Sequence, residues 1–236
     1  MSNRSTRLGK FPPLALLALA ACGGAAELRP PIRDDATPAA AALASPASLG
    51  ASLLRAGDLA GARAAFEAEL GGDPDRLAPL NDLAVSYYLE GHLDAARRLL
   101  DEVVASGRPR EQQAALLNLG ELCAVEGHAE AARAYLESAR GVDATRPEPL
   151  YALALLASAR GEAVQARGLL REASRLDDGS GRSALIFAFG EERRHLEALA
   201  AEQAGDRAQA EARWRELAAG RFPALAAAAV RQLTER

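Results

Sequence analysis

One spacing recurs five times along the chain: a glycine, a small residue five positions later, and a bulky apolar residue four positions after that. Three linked positions that match five times are hard to obtain by chance, even in a chain this rich in alanine. A period of about 34 residues constrains such a chain to a stack of similar units. The five triplets are Gly57, Ala62 and Phe66; Gly91, Ala96 and Leu100; Gly127, Ala132 and Leu136; Gly161, Ala166 and Leu170; and Gly205, Ala210 and Trp214.

The spacing predicts two amphipathic helices per unit, joined at the glycine. Glycine permits the positive φ that ends the first helix. The small residue lets the second helix approach closely, and the bulky residue four positions later lies on the same helical face. The composition agrees with helices, because 49% of the residues are apolar but only 4% are aromatic. Leucine in place of Ala96 or Ala132 should therefore overpack a helix crossing, at a cost of about 1–3 kcal/mol.

A second pattern precedes three of the glycines: Leu83-Ala84 with Tyr87, Leu119-Gly120 with Cys123, and Leu153-Ala154 with Ala157. Together the two patterns resemble the tetratricopeptide repeat. Pro74 closes the first repeat as that family expects, and Pro109 and Pro147 lie near the corresponding position. The resemblance implies an all-α solenoid of about five helical hairpins, the last one irregular.

The chain after residue 222 predicts a capping helix for this solenoid. Pro223 suits a first helical turn, and Leu225, Val230 and Leu233 could cover the final repeat. Without such a cap the last hairpin would expose its apolar face.

Two intervals between the turn glycines are longer than the others. Residues 105–113 hold two extra residues, which predict a longer loop, and residues 177–190 hold ten. The second interval contains apolar residues that need burial, against the last repeat or against a partner. These residues are Leu185, Ile186, Phe187 and Phe189.

The N-terminus has a basic stretch through Lys10, an apolar run from Phe11, and the tetrapeptide LAAC at residues 19–22. The run is too short for a permanent transmembrane helix, so it predicts a removable signal over residues 1–21. The tetrapeptide resembles the lipobox of bacterial lipoproteins. That resemblance implies cleavage before Cys22, a diacylglycerol thioether on its sulfur and an acylated amine; no other cofactor is expected. A membrane anchor or an ordinary secretory signal is the alternative.

Residues 22–42 predict a tether between the lipid and the solenoid, because Pro30, Pro31 and Pro38 block helix and sheet alike. Gly23 and Gly24 follow the cysteine, where inner-membrane lipoproteins tend to carry aspartate. The resemblance thus implies the outer membrane, facing the periplasm. The domains expected are the signal peptide 1–21, the lipidated tether 22–42, the solenoid 43–222 and the capping helix 223–236.

The remaining cysteine and the histidines predict no metal site. A lipidated Cys22 leaves Cys123 without a disulfide partner, and Cys123 is expected to be a small core residue. His92 and His128 both follow a turn glycine, so their equivalence reflects the repeat. Zinc requires three or four convergent ligands, which this pattern does not supply. His195 is a lone helical histidine with no recognisable partner.

No catalytic motif is present: the chain has no GxxxxGK, HExxH or GxSxG. We therefore expect no enzyme and no small-molecule substrate, with an enzyme subunit whose site lies near 178–196 as the alternative. The formal charge of −4 argues against a nucleic-acid partner.

A solenoid of helical hairpins has a concave groove, lined mainly by the first helix of each unit. The family's groove positions imply an apolar surface for a helix or an extended segment of a protein partner. The alternative for any one residue is contact with a neighbouring helix. The predicted groove residues are Leu54, Arg55, Asn81, Val85, Tyr88, Leu89, Leu117, Glu121, Val125, Tyr151 and Leu155.

These features together resemble the tetratricopeptide lipoproteins that assist type IV pilus, Tad pilus or gliding machines, including secretin pilotins. The function expected is that of a lipid-anchored periplasmic adaptor whose partner is a secretin, pilus or gliding component. The alternative is a scaffold for peptidoglycan hydrolases or synthases.

Overall fold

The computed structural model describes residues 48–73, 76–177, 190–220 and 223–234, which form eleven α-helices and no strand. The predicted signal peptide, Cys22, the tether, Pro74 and the apolar residues 185–189 lie outside the described residues. The helices are α1 (Leu49–Arg55), α2 (Leu59–Gly72), α3 (Leu77–Leu89), α4 (Leu93–Ala105), α5 (Pro109–Val125), α6 (Ala129–Val142), α7 (Glu148–Ala159), α8 (Ala163–Leu176), α9 (Gly190–Ala204), α10 (Arg207–Ala218) and α11 (Pro223–Thr234).

The first ten helices form five consecutive hairpins, from α1 with α2 to α9 with α10, and α11 follows them. This confirms the all-α solenoid of five repeats with a C-terminal helix. Each hairpin turn contains a glycine with φ between 79° and 85°, which a residue with a Cβ atom rarely adopts. These glycines are the five that the sequence pattern identified: Gly57, Gly91, Gly127, Gly161 and Gly205.

The helix crossings within each hairpin follow the predicted pattern. The five crossing alanines have no exposed surface, and the five bulky residues are at most 3% exposed. In the first and third hairpins the bulky residue packs against a glycine of the preceding helix. At Gly120 a Cβ atom would lie 2.6 Å from Cδ2 of Leu136, and at Gly50 it would overlap the Phe66 ring. The hairpins are therefore held by close contacts that only small residues permit.

The helices form two layers. Successive odd-numbered helices, from α1 to α9, contact one another across the repeats, whereas no comparable contact joins successive even-numbered helices in the described part. The odd-numbered helices thus form the inner, concave layer, as the resemblance implied. No helix among the described residues is both long and apolar enough to cross a membrane.

Three ion pairs join the first four repeats, each from the second helix of one hairpin to the next hairpin. In each case the arginine that follows the crossing alanine reaches a glutamate beside the next hairpin's turn. These partly exposed pairs hold neighbouring hairpins in register, although each contributes only about 0.2–1 kcal/mol. The pairs are Arg63 with Glu90 at 2.9 Å, Arg97 with Glu126 at 2.5 Å, and Arg133 with Glu162 at 2.6 Å.

The prediction of a longer loop within 105–113 was wrong. The loop between α4 and α5 consists of residues 106–108, and the extra residues lengthen α5, which has 17 residues against 13 in α3. Pro109 starts the helix, since the first helical position needs no N–H donor. The polar residues after it continue the helix instead of interrupting it.

Helix α11 covers the last hairpin with a face partly different from the one predicted. Leu225 is 7% exposed and Leu233 is half-buried, as expected, but Val230 is 47% exposed. Ala228 and Ala229 are buried instead. Five residues after Leu225, Val230 lies off the face on which Leu225 and Ala229 lie, because an α-helix turns once in 3.6 residues.

Candidate partner-binding groove

All eleven predicted groove residues lie on the odd-numbered helices, in the inner layer. Leu54 and Arg55 end α1; Asn81, Val85, Tyr88 and Leu89 lie on α3; Leu117, Glu121 and Val125 lie on α5; Tyr151 and Leu155 lie on α7. Their local environments differ, and the differences separate internal contacts from surface that a partner could reach.

The residues of the first two repeats form internal apolar contacts. Leu54, Val85, Tyr88 and Leu89 are each at most 6% exposed and belong to one apolar cluster, which also contains Phe66. Val125 packs against the same cluster from α5. At these positions the side chains contact neighbouring helices.

Asn81 takes part in a buried hydrogen-bond chain between α3 and α5. Nδ2 of Asn118 donates to Oδ1 of Asn81 at 2.9 Å, and Nδ2 of Asn81 donates to Oδ1 of Asp82 at 3.3 Å. All three side chains are at most 7% exposed. The chain satisfies polar groups that would otherwise be buried at a cost of about 1–3 kcal/mol each.

Tyr151 joins the two helices of the fourth hairpin. Its hydroxyl donates to Oδ2 of Asp177, the C-cap residue of α8, at 2.9 Å. Burial raises the pKa of Tyr151 to about 12, and the bond to the Asp177 carboxylate acts in the same direction. The hydroxyl is thus engaged within the hairpin.

Four of the predicted residues line one cavity of about 270 Å³: Leu117, Glu121, Val125 and Leu155. The cavity lies between α5 and α7. Leu136 of α6 forms part of its wall, and Ala224 and Leu225 of α11 form another part. Most of the lining is apolar, so the cavity could accept an apolar group from a partner.

The cavity opens to solvent, because several lining residues are exposed, among them Ala124, Gly127 and Ala224. Its polar lining consists of Glu121, Arg160 and Glu192. Nη1 of Arg160 lies 2.6 Å from Oε1 of Glu130, and its Nε donates to Oε1 of Glu162 at 2.8 Å. These bonds direct the guanidinium toward carboxylates outside the cavity lining.

Helix α11 also reaches α7, which lies two hairpins earlier in the inner layer. Nη2 of Arg231 donates to the carbonyl oxygen of Ala159 at 2.9 Å. A positive side chain is favoured there because the last carbonyls of α7 carry the negative end of the helix dipole. No sequence signal pointed to this contact, since it depends on how the last hairpins stack.

The prediction that His195 has no partner was wrong. Its Nε2 lies 2.6 Å from the hydroxyl oxygen of Ser158, and the edge of its ring packs against Trp214 at a centroid distance of 4.8 Å. Burial lowers the pKa of His195 to about 3, and the charge of Arg231 acts in the same direction. Because His195 has no exposed surface and Ser158 only 2%, this pair is closed to a substrate.

Cys123 is the buried core residue that was predicted, with 2% of its surface exposed. Nη1 of Arg97 donates to its sulfur at 3.6 Å. Burial nevertheless raises the pKa of the thiol, so the unreactive protonated form is favoured.

The histidines after the turn glycines lie at helix starts. His92 and His128 are exposed N-cap residues of α4 and α6, with no capping hydrogen bond from either side chain. At the equivalent positions Asp58 and Asp206 accept a backbone N–H, at 2.9 and 3.0 Å. Among the described residues no group of three or more His, Cys, Asp or Glu side chains could hold a metal ion.

Comparisons with known proteins find one family model and several solved structures that are similar to this chain. A family model described as tetratricopeptide repeat matches residues 53–119. A crystal structure of MamA is 20% identical over 79% of this chain and 97% of its own, with a TM-score of 0.45. A structure from a functional characterization of Pseudomonas aeruginosa pilF is 18% identical over 85% of this chain and 83% of its own, with a TM-score of 0.51.

The likeness to the pilF structure concerns the fold, since the identity is low. The comparison with curated proteins finds no match. The family-model match identifies tetratricopeptide repeats within residues 53–119. The five glycine turns and the consecutive helical hairpins continue the same helical-solenoid architecture through the described residues.

Proposed function

We propose that this protein is a lipid-anchored adaptor that binds a segment of a partner protein in its groove and assists assembly of an envelope machine of the pilus-secretin, Tad or gliding type. The observation that carries the proposal is the open apolar cavity, which brings Leu117, Glu121, Val125 and Leu155 together on the concave layer. Repeat solenoids bind partners on this face. Nothing in the cavity lining requires a small-molecule substrate.

Anchoring would act by mass action. A diacylglycerol and an N-acyl chain on Cys22 would hold the solenoid at the membrane, since two or more chains anchor stably where one does not. Gly23 and Gly24 after the cysteine favour the outer membrane, facing the periplasm. Confining the groove to the membrane that holds the partner raises the effective concentration of each for the other, without any additional contact.

The test is photo-crosslinking in cells, with a photoreactive amino acid in place of Ala124 at the cavity mouth. A matched control carries the same amino acid in place of Ala134, which is exposed on α6 and outside the cavity lining. We expect a secretin, pilus or gliding component to crosslink to position 124 and not to position 134, and the yield to fall in a Cys22→Ser background. Mass spectrometry identifies the crosslinked protein.

Two results would contradict the proposal. Peptidoglycan hydrolases or synthases at position 124 would identify a cell-wall scaffold. Equal yields with and without Cys22 would remove the lipid anchor from the mechanism.

A further inference from the structure

We propose that the cavity between α5, α7 and α11 holds one aromatic side chain of the partner. The inference rests on the proposed function and names the chemistry of the segment that this groove would bind. It follows from a comparison of the repeats with one another and from the cavity volume.

The comparison begins with Tyr88 and Ala124. Each lies three residues before the turn glycine of its hairpin, Gly91 or Gly127, so the two positions are equivalent. In the second repeat the Tyr88 ring is 6% exposed and packs in an apolar cluster. In the third repeat Ala124 is exposed and lines the cavity. The third repeat thus lacks an aromatic ring where the second repeat has one.

Two further lining residues are smaller than their equivalents in the preceding repeat. Ala152 takes the place of Asn118, nine residues before the turn glycine, and Ala159 takes the place of Val125, two residues before it. Both alanines lie on α7, opposite Ala124 on α5. Small residues on both walls therefore widen the space between these helices.

The cavity volume is large enough for one aromatic ring and the side-chain atoms that link the ring to its backbone. An apolar cavity of about 150 Å³ is known to bind benzene, and sites for drug-sized molecules are larger, about 300–1,000 Å³. At about 270 Å³ this cavity falls between the two. Burying an aromatic side chain is among the largest contributions that one residue makes to an interface.

The test uses toluene, p-cresol and indole, which are the side-chain groups of Phe, Tyr and Trp, with the full chain. Binding is measured by ligand-detected NMR and by the rise in Tm, since a ligand that binds only the folded state stabilises it. Ala124→Tyr introduces the side chain that the second repeat has at this position. We expect this variant to fold and to weaken toluene binding by more than about tenfold, because the volume is filled.

Ala134→Tyr is the matched control, because it adds the same ring on an exposed part of α6 outside the cavity lining. It should bind toluene as the wild-type protein does. Unchanged toluene binding by Ala124→Tyr would overturn the proposal, as would no binding to the wild-type protein. Tighter binding of hexanol than of toluene would also overturn it, since the cavity would then hold an acyl chain.

The outcome is separable from that of the proposed function. If none of the aromatic probes binds, a crosslink at position 124 still supports the proposed function. If no envelope-machine component is crosslinked, binding of the aromatic probes still supports the aromatic anchor.

Discussion

Nε2 of His195 lies 2.6 Å from Oγ of Ser158, and this bond joins α9 to α7 between the fourth and fifth repeats. Nδ1 of His195 has no hydrogen-bond partner among the described residues. Because a buried N–H without an acceptor is costlier than an acceptor without a donor, we place the ring proton on Nε2, which then donates to Ser158. A second proton on this ring would be buried without a partner.

This arrangement predicts acid lability. The pKa of His195 is about 3 in the folded protein and 6.5 in the unfolded chain, so the unfolded state binds more protons between these values. The free energy of unfolding should therefore fall as the pH drops below about 6.5, by about 1.4 kcal/mol per pH unit well inside the window. Urea unfolding at a series of pH values measures this fall.

The control for acid lability compares two histidines. His195→Gln should flatten the fall in unfolding free energy, whereas His128→Gln, at an exposed N-cap, should leave it unchanged. If the unfolding free energy of His195→Gln falls with pH as steeply as that of the wild-type protein, the assignment of the acid lability to His195 is contradicted. If that variant does not fold, the wild-type His195 ring resonance provides the test: it should not titrate between about pH 8 and pH 5.

The second prediction concerns Gly120. A methyl group at this position would lie 2.6 Å from Cδ2 of Leu136 and 3.3 Å from the carbonyl oxygen of Ala132. Gly120→Ala should therefore lower the free energy of unfolding by about 1–3 kcal/mol, because the hairpin crossing is overpacked. Chemical denaturation of the variant and the wild-type protein measures the difference.

Gly168 provides the matched control, because it lies in the interior of α8 with nothing within 4 Å of its would-be Cβ atom. Gly168→Ala should raise the free energy of unfolding by about 0.5–1 kcal/mol, since alanine is the better helix former. A change of the same sign at Gly120 and Gly168 would show that contact with Leu136 does not decide the outcome.

The third prediction concerns the ion pair between Arg133 and Glu162, at 2.6 Å. The hydrogen bond from Arg133 lowers the pKa of Glu162. Because both side chains are partly exposed, a double-mutant cycle of Arg133→Gln and Glu162→Gln should give a coupling of only about 0.2–1 kcal/mol. The coupling should shrink as salt is added. A coupling independent of salt would exclude simple charge attraction between the repeats.

The fourth prediction concerns the hydroxyl of Tyr151, which bonds Asp177. Tyr151→Phe removes this bond and keeps the ring, so the free energy of unfolding should fall by about 0.5–1.5 kcal/mol. Crosslinking at position 124 should be unchanged, because the hydroxyl contacts α8 and is not needed by a partner. A variant of wild-type stability that loses the crosslink would instead make Tyr151 a partner contact.

Several features of the fold could be predicted because they are local. The turn at Gly127 needs a positive φ, which glycine adopts without strain, and Ala132 permits a close crossing wherever the same spacing recurs. A local sequence pattern does not predict the structure of a segment when two conformations fit the pattern equally well. Residues 105–113 could extend either a loop or a helix, and the structure extends α5.

The candidate site was less predictable, because a groove position in the family does not state what surrounds it. Tyr88 and Leu155 occupy such positions, yet the Tyr88 ring packs in an internal cluster while Leu155 lines an open cavity. The difference arises from the residues opposite each one. Packing of this kind depends on the volumes of several helices together.

The sequence by itself determined the repeat, the hairpin turns and the residues at each crossing, because these depend on backbone conformation and side-chain size within one unit. Only the tertiary structure determined how the last repeats and α11 pack against the inner layer. Ser158 meets His195 across 37 residues, and Arg231 reaches the carbonyl of Ala159 across 72. Contacts at such separations follow from the summed packing angles of successive hairpins, which no single repeat encodes.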